Sequence, residues 1–351
     1  MSLFKKVSIK DIAEAAGVST TLVSFVLNGK SAEYRVSDET AKRIRDIAEN
    51  MRYQPNLAAQ SLRGGRSNII GVVVSDISNP FFSSLARLFE DISGKYGYTV
   101  FFGSSDERPD RMRKVIGNLI SRGVDGVIIV PCEKTEKFLT KLSTYSVPMV
   151  LLDRYFENSK IPYVGLNNYQ ATYQATQYLF EKGYRKPAIV AYDMKLIHMQ
   201  ERIRGYREAM QYMQSTTAPE VYYTHLHNTM TEIHEVIKTA LDKGVDSFIF
   251  ATNLISLSCL YMIRNMHDKA TDNLGLVGFD GNPAFDFFDK PIAYIKQPLE
   301  EIAKHTFTAL VDAINNKEPK SMLINGELVV IEHNVESASA STNSFTFRST
   351  Y

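Results

Sequence analysis

IKDIAEAAGVSTTLVSFVLN, residues 9–28, contains two short helical patterns joined by a turn. In the first, Ile9, Ile12, Ala13 and Ala16 recur at three- and four-residue spacing, which lays one apolar stripe along a helix. Gly17 stops it, because glycine tolerates the left-handed backbone just past a helix end, and Ser19 stands where a side-chain oxygen caps the next helix. In the second pattern Leu22, Val23, Val26 and Leu27 supply a buried face. Ser19, Thr20, Thr21, Ser24, Phe25 and Asn28 are left near its ends and on its outer side. Two short helices joined by a glycine-containing turn of about 3 to 4 residues form a helix-turn-helix, whose second helix enters the major groove of DNA. Those outer side chains are the candidates for contact with a duplex.

A third helical pattern follows, capped by Ser37, with Asp38 and Glu39 in its first turn. Ile44, Ile47, Ala48 and Met51 form its stripe, and Lys42, Arg43 and Arg45 lie off it. Three such helices close one small core, giving a DNA-binding domain over residues 1–54. The next segment, YQPNLAAQSLRGGRSN, has Pro55 to start and Gly64 and Gly65 to stop a helix from Leu57 to Leu62. That helix is too short to be stable alone in water, so it is expected to order only when something binds it.

Together these residues resemble the LacI family of bacterial transcription regulators, and the resemblance runs over nearly the whole chain. It implies that residues 55–66 are a hinge helix that folds on operator DNA, with Asn56, Ala59 and Leu62 among the DNA contacts. Leu62, in AAQSLRGGRS, matches the family leucine that each protomer of a homodimer wedges into the minor groove at the operator centre. Such a wedge kinks the duplex at a cost of roughly a few kcal/mol, offset by added contacts. Phe25 departs from the family, which commonly has a polar or basic side chain there. A hydrogen bond to a base is then absent, and contact with a thymine methyl takes its place. The operator is expected to be a pseudo-palindrome whose sequence does not carry over from better-known relatives.

The 351 residues suffice for two or three domains, and 44% hydrophobic content suffices for large cores. Forty Lys and Arg nearly balance 39 Asp and Glu, yet the cationic excess falls in residues 1–66, the DNA-binding end. The two cysteines, Cys132 and Cys259, lack metal-ligand spacing and read as buried thiols. The chain starts without a signal-peptide pattern and has no run of about 18 apolar residues, so a cytoplasmic protein without membrane association is expected.

From Asn68 onward short apolar runs alternate with amphipathic stretches, the pattern of parallel sheets covered by helices. Ile69–Val74, Tyr98–Phe102, Val127–Val130 and Met149–Leu152 read as strands, with helices near Phe82–Lys95, Arg108–Arg122 and Lys134–Tyr145 between them. A second set begins near Tyr169, with strands near Ala188–Ala191, Val221–Tyr223, Phe248–Ala251 and Leu276–Val277. Its helices are expected at Ala171–Glu181, Arg202–Met213, Thr231–Lys243 and Ser256–His267. A strand, a proline turn and a long helix return the chain, and a β-rich end runs from Met322 to Val335. The resemblance makes this the two-lobed periplasmic-binding-protein fold. One lobe is expected over about 67–166 and 298–325, the other over about 167–294 and 326–336, followed by a flexible tail at 337–351.

In open α/β sheets, ligands bind beyond the carboxyl ends of strands. Asp76 and Asn79 to Phe82 follow the first strand, Asp153 and Arg154 follow VPMVLL, Asn253 follows FIFAT and Asp280 follows GLVGF. Arg202 stands at the expected start of its helix. In sugar-binding members of the family the positions matching Asp153, Arg202, Asn253 and Asp280 hydrogen-bond the ligand, and the region of Phe81 and Phe82 lines the apolar side. Carboxylates accept from vicinal hydroxyls, a guanidinium donates in a planar fork, and an aromatic covers a sugar's C–H face. The pattern breaks at Asn167-Asn168, where an Asp-Asn pair is frequent, and at Leu254, which replaces the usual Asp.

No glycine-rich dinucleotide loop or Walker loop occurs, and His225, His227 and His234 lack a ligand spacing, so neither cofactor, metal nor catalysis is expected. The reading is a homodimeric repressor of a carbohydrate-use operon, switched by a small-molecule effector, most simply a sugar. The alternatives are a stand-alone sugar-binding receptor of the same fold and a regulator that answers to a nucleoside or purine.

Overall fold

The computed structural model describes residues 7–53, 66–145, 147–213, 217–227, 230–266, 271–288 and 290–331. Asn56, Ala59 and Leu62, with the expected hinge helix and the C-terminal tail, lie outside the described residues. The chain divides into two units, Met1–Ser67 and Asn68–Tyr351.

In the first unit α1 (Ile9–Ala16), α2 (Thr20–Leu27) and α3 (Asp38–Asn50) close over Ile12, Ala16, Val23, Val26, Ile44 and Ala48. Each helix is started by a serine. Ser8 forms a reciprocal capping box with Asp11, Ser19 Oγ accepts from the Leu22 amide at 3.2 Å, and Ser37 Oγ accepts from the Thr40 amide at 3.3 Å. A cap of this kind contributes about 1 kcal/mol, a large share for helices of two turns. Gly17 ends α1 at φ 63, so the turn between α1 and α2 needs a residue without a Cβ penalty.

The second unit is two parallel-sheet lobes. In the first lobe, β1 (Ile69–Val74), β2 (Thr99–Ser104), β3 (Gly126–Ile129), β4 (Met149–Leu152), β5 (Tyr163–Leu166) and β11 (Met322–Ile324) form one sheet in the order β11-β5-β4-β3-β1-β2. In the second lobe, β6 (Pro187–Tyr192), β7 (Glu220–Thr224), β8 (Ser247–Phe250), β9 (Gly275–Phe279), β10 (Ile292–Lys296) and β12 (Glu327–Ile331) take the order β12-β10-β9-β8-β6-β7, with only β12 antiparallel. Every residue of β1, β3, β4, β6, β8 and β9 is buried, as strands covered by helices on both faces require.

Helices α4 (Pro80–Lys95), α5 (Pro109–Ser121), α6 (Glu136–Ser143) and α11 (Leu299–Ile314) cover the first sheet. The second is covered by α7 (Asn168–Glu181), α8 (Ile197–Tyr212), α9 (Met230–Asp242) and α10 (Asn253–Asn265). The chain passes between lobes three times, after β5, after β10 and after β11.

Two features differ from the sequence reading. Strand β5, YVGL, is not among the expected strands, because its glycine falls inside the run and leaves no continuous apolar stretch. Helix α8 starts at Ile197, and Arg202 therefore sits more than a turn inside it. The α8 N-cap, Leu196, makes no side-chain cap, so no polar residue signals this start.

Candidate functional site

Two sites emerge, one in each unit. In the first unit the exposed residues of α2 are Ser19 at its cap, Thr20 and Thr21 in its first turn and Asn28 at its end, with Phe25 half-buried. Ser24, expected on the outer side, is a correction: it is 9% exposed and turned to the packed side. A helix of eight residues closed between two neighbours has a buried arc wide enough to include a small hydroxyl. Phe25 stacks flat on Tyr34, ring centroids 3.6 Å apart at 4°, which covers one face and fixes the ring. The Phe25 edge remains for an apolar contact, and Tyr34, 46% exposed, extends the surface beyond α2. Local spacing does not reveal Tyr34, since its place is set by the loop between α2 and α3.

In the second unit the cleft is built from strand ends. Four carboxylate residues adopt left-handed backbone there: Asp106 (φ 50) and Glu107 (φ 54) after β2, Asp153 (φ 66) after β4 and Asp280 (φ 60) after β9. Such conformations cost non-glycine residues roughly 1–3 kcal/mol each and persist where surroundings over-determine them, commonly at binding sites. The carboxylates of Glu107, Asp153 and Asp280 join two buried guanidinium groups, while that of Asp106 pairs with the exposed Arg111. Arg154 donates from both terminal nitrogens to Glu107, at 2.7 and 2.9 Å, and from one of them to the Pro131 carbonyl at 3.0 Å. Its Nε lies 3.7 Å from Asp153 Oδ2 and makes no hydrogen bond.

Arg202, 4% exposed, donates from Nε to Asn168 Oδ1 at 2.7 Å and from Nη1 to the Ala251 carbonyl, with its guanidinium 3.9 Å from the Phe279 ring centroid. Gly205, one turn later on α8, allows this approach. A Cβ there would lie 2.2 Å from the Tyr169 carbonyl oxygen, so α7 and α8 would separate and Asn168 would leave Arg202. Burial lowers the Arg202 guanidinium to about 10 against the pull of Asp153 and Asp280, which still leaves it charged near neutrality.

Burial also raises the Asp153 carboxyl, opposed by Arg154 and Arg202. It pushes Asp280 up to about 6, opposed by Arg202 and by a 2.9 Å hydrogen bond from Gln297 Nε2. His198, on the first turn of α8, is held well below the usual imidazole range by burial and by the Arg154 and Arg202 charges, so it is neutral. Its Nδ1 is buried without a hydrogen-bond partner, as is Gln297 Oε1.

Two cavities flank this network. One of about 420 Å³ is lined from the first lobe by Asp76, Asn79, Glu107 and Arg154 and from the second by Tyr192, His198 and Thr252. The other, of about 730 Å³, runs beside the crossings and includes Phe81, Asn253, Asp280 and Gln297. The polar groups divide between the two: Glu107, Arg154 and His198 face the smaller cavity, and Asn253, Asp280 and Gln297 the larger. Asn253 donates to Asn79 Oδ1 at 3.1 Å across the lobes, and the Lys195 amide donates to Glu133 at 2.5 Å.

Of the expected effector residues, Asp153, Arg202 and Asp280 thus meet in one charge network, and Asn79 meets Asn253. Asp76 lines the smaller cavity with its carboxylate already accepting from the Ser78 amide and hydroxyl at 2.7 to 2.8 Å. Phe82 is a correction: 3% exposed, it packs in the core of the first lobe, and only its T-shaped partner Phe81 reaches a cavity. The α4 stripe that carries Leu85 and Phe89 takes Phe82 inward with it. Glu107, His198 and Gln297 are additions that the sequence reading lacks. The strand-end rule finds Glu107 once β2 is extended to Ser104; nothing local marks the other two.

The pH dependence of stability follows from Asp280. Its folded value lies above its ordinary 3.8, so its contribution to stability is full below that value and is lost as pH rises through about 6. Burial therefore outweighs the attraction of Arg202. Asp280→Asn is expected to raise the stability of the ligand-free protein by on the order of 1–2 kcal/mol near neutral pH, with the gain vanishing near pH 4. Calorimetric melts at the two pH values check this, and a variant less stable than the parent at neutral pH contradicts it.

A family model described as bacterial regulatory proteins, lacI family, matches residues 8–56, and one described as periplasmic binding proteins and sugar binding domain of LacI family matches residues 67–332. The chain is 31% identical to a ribose operon repressor of Halalkalibacterium halodurans, over 88% of this chain and 91% of that one. It is 30% identical to a sucrose operon repressor of Klebsiella pneumoniae, over 91% of this chain and 95% of that one. Among solved structures, the lac repressor dimer bound to operator and an anti-inducer superposes with a TM-score of 0.80 at 20% identity, covering 93% of this chain and 98% of that one, which shows a shared fold.

Proposed function

We propose, from the premise that this chain belongs to the LacI family of bacterial regulatory proteins, that it is a dimeric transcription repressor whose hold on its operator is set by a sugar bound between the lobes of its second unit. The observation that carries the effector half is the charge network of Asp153, Arg202 and Asp280, with His198 beside it. Carboxylates of raised pKa and a charged guanidinium with one terminal nitrogen uncommitted, all desolvated, provide strong acceptors and a charged donor for hydroxyls. The relatives named for ribose and sucrose operons point the same way. A stand-alone receptor has no use for the three-helix unit with Thr20 and Thr21 exposed on α2. Ser19, Thr20, Thr21, Phe25 and Asn28 read the operator in this proposal, with Asn56, Ala59 and Leu62 of the hinge.

Dimerisation is supported by an apolar surface on the second lobe. Phe287 is 73% exposed, Tyr261 61% and Met230 44%, around a groove of about 450 Å³ that Leu257 and Phe288 also line. Soluble monomers rarely leave such a patch uncovered, and in the proposed dimer a second copy covers it. Phe287→Arg is expected to give monomers in light scattering. Operator affinity should then fall at least about tenfold, since half-sites bound singly forfeit the linked second contact. A variant that remains dimeric places the interface elsewhere.

The effector class is tested by melting the protein against sugars, nucleosides and purines, because a ligand that binds only the native state raises the melting temperature. A shift with sugars alone supports the proposal. A shift with a purine and none with sugars overturns the carbohydrate assignment.

A further inference from the structure

The cleft reading leaves the kind of sugar open, and the ion pair between Glu107 and Arg154 bears on it. Arg154 is the guanidinium that faces the 420 Å³ cavity, its side chain 7% exposed, and its planar fork is the group that a phosphate dianion would take. Both terminal nitrogens are already engaged by Glu107, and the Pro131 carbonyl shares one of them. The remaining nitrogen, Nε, faces the Asp153 carboxylate at 3.7 Å. Glu107 itself is 14% exposed and held at φ 54 directly after Asp106 at φ 50. Two successive non-glycine residues are thus strained so that one carboxylate meets one guanidinium inside the cleft.

The other cations are no freer. Arg202 has two of its three nitrogens committed, with its face on Phe279 and with Asp153 and Asp280 as its charged neighbours. His198 stands between the two guanidinium fields as a neutral ring. Lys296 lines the larger cavity with Glu300, Glu301 and Glu327. Asp76 adds further negative charge to the wall of the smaller one, where the Asp106 carboxylate is already paired with Arg111. Among the described residues that line these cavities, the cations Arg154 and Lys296 share the lining with carboxylates, while Arg154 Nε, His198 Nδ1 and Gln297 Oε1 remain buried without hydrogen-bond partners. A neutral imidazole nitrogen and an amide oxygen suit hydroxyl groups, and the one uncommitted Arg154 nitrogen, Nε, faces the Asp153 carboxylate, so no unopposed guanidinium fork is left for an anion.

We infer that the Glu107–Arg154 pair is a charge gate on effector choice: the cleft takes an uncharged polyol and refuses its phosphate ester, because the fork that a phosphate needs is already closed by Glu107. The inference rests on the cleft being the effector site.

The test uses the full-length protein, with inorganic phosphate and paired probes, D-ribose with ribose 5-phosphate and sucrose with sucrose 6-phosphate. In the parent protein phosphate is expected to move the melting temperature no further than chloride at matched ionic strength, and no ester should bind more tightly than its parent sugar. Glu107→Gln preserves shape and releases the fork, so phosphate affinity is expected to rise about tenfold, the value of one charge-assisted contact. Glu107→Gln combined with Arg154→Gln should abolish that gain. Unchanged phosphate affinity in Glu107→Gln, a gain that survives in the double variant, or an ester that outbinds its sugar in the parent each overturns the gate. If Glu107→Gln fails to fold, the parent protein decides, since a phosphate-specific rise in its melting temperature sinks the inference. The cleft reading fails separately: sugar binding that persists undiminished in Asp153→Ala refutes the site, whatever phosphate does.

Discussion

Arg202→Ala is expected to leave the protein on its operator and unable to respond to its effector. The guanidinium links both lobes through charge, since Asp153 belongs to the first and Asp280 to the second, and Arg202 lies among the charges of both. Without it, two desolvated carboxylates are deprived of their shared cation, their pKa values rise further, and the terminal nitrogen left to donate to a hydroxyl is gone. Effector affinity should fall at least about a hundredfold, or about 3 kcal/mol, because a desolvated charge-assisted hydrogen bond disappears while the groups it satisfied stay buried. Removing one partner of a buried ionic group also destabilises the fold by about 3 kcal/mol or more. Arg202→Lys separates the two effects, because it keeps the charge near Asp153 and Asp280 and removes the fork. Calorimetry should find sugar binding weakened in both variants, and mobility shifts should find operator binding that no longer changes with sugar. Unaltered sugar affinity in Arg202→Lys would show that the fork does not touch the ligand.

Much of this site was legible from strand ends. β1 and β4 are continuous apolar runs bounded by polar residues, so Asp76, Asp153 and their neighbours fall where a parallel sheet exposes its carboxyl edge. β5 was not legible, and the glycine that hid it is there for packing: a Cβ at Gly165 would lie 3.0 Å from the Asp153 carbonyl oxygen. The same residue that weakens the strand pattern lets β5 run close beside the Asp153 turn. The pairing of Glu107 with Arg154 spans 47 residues and depends on two strands meeting β1 and β3 in one sheet, so no local spacing contains it. Ser24 illustrates the opposite error. Polarity places it outward, whereas its small volume lets the packed arc of α2 include it.

The largest expected loss of DNA binding is at Leu62, which lies outside the described residues and stands in the segment proposed as the hinge. A leucine inserted between base steps recovers the cost of unstacking through the contacts a bent duplex permits, a balance of roughly a few kcal/mol. Leu62→Gly removes the side chain from both protomers and lowers the helix propensity of the proposed hinge segment. Operator affinity should fall about a hundredfold or more by mobility-shift titration. Leu62→Ala keeps the propensity, so an equal loss there assigns the effect to the wedge, and a smaller one assigns the remainder to helix formation. Sugar binding in the absence of DNA should be unchanged in both variants, because the residues proposed to hold the sugar all lie in the second unit. Where a switch couples the two ligands, the coupling is reciprocal: sugar must weaken or strengthen operator binding by the same factor by which operator alters sugar binding. In Leu62→Gly that factor should approach one in both directions, since a hinge that no longer engages DNA gives the lobes nothing to report to. Retained coupling with weakened DNA binding would mean that the switch acts through the helix-turn-helix without the hinge.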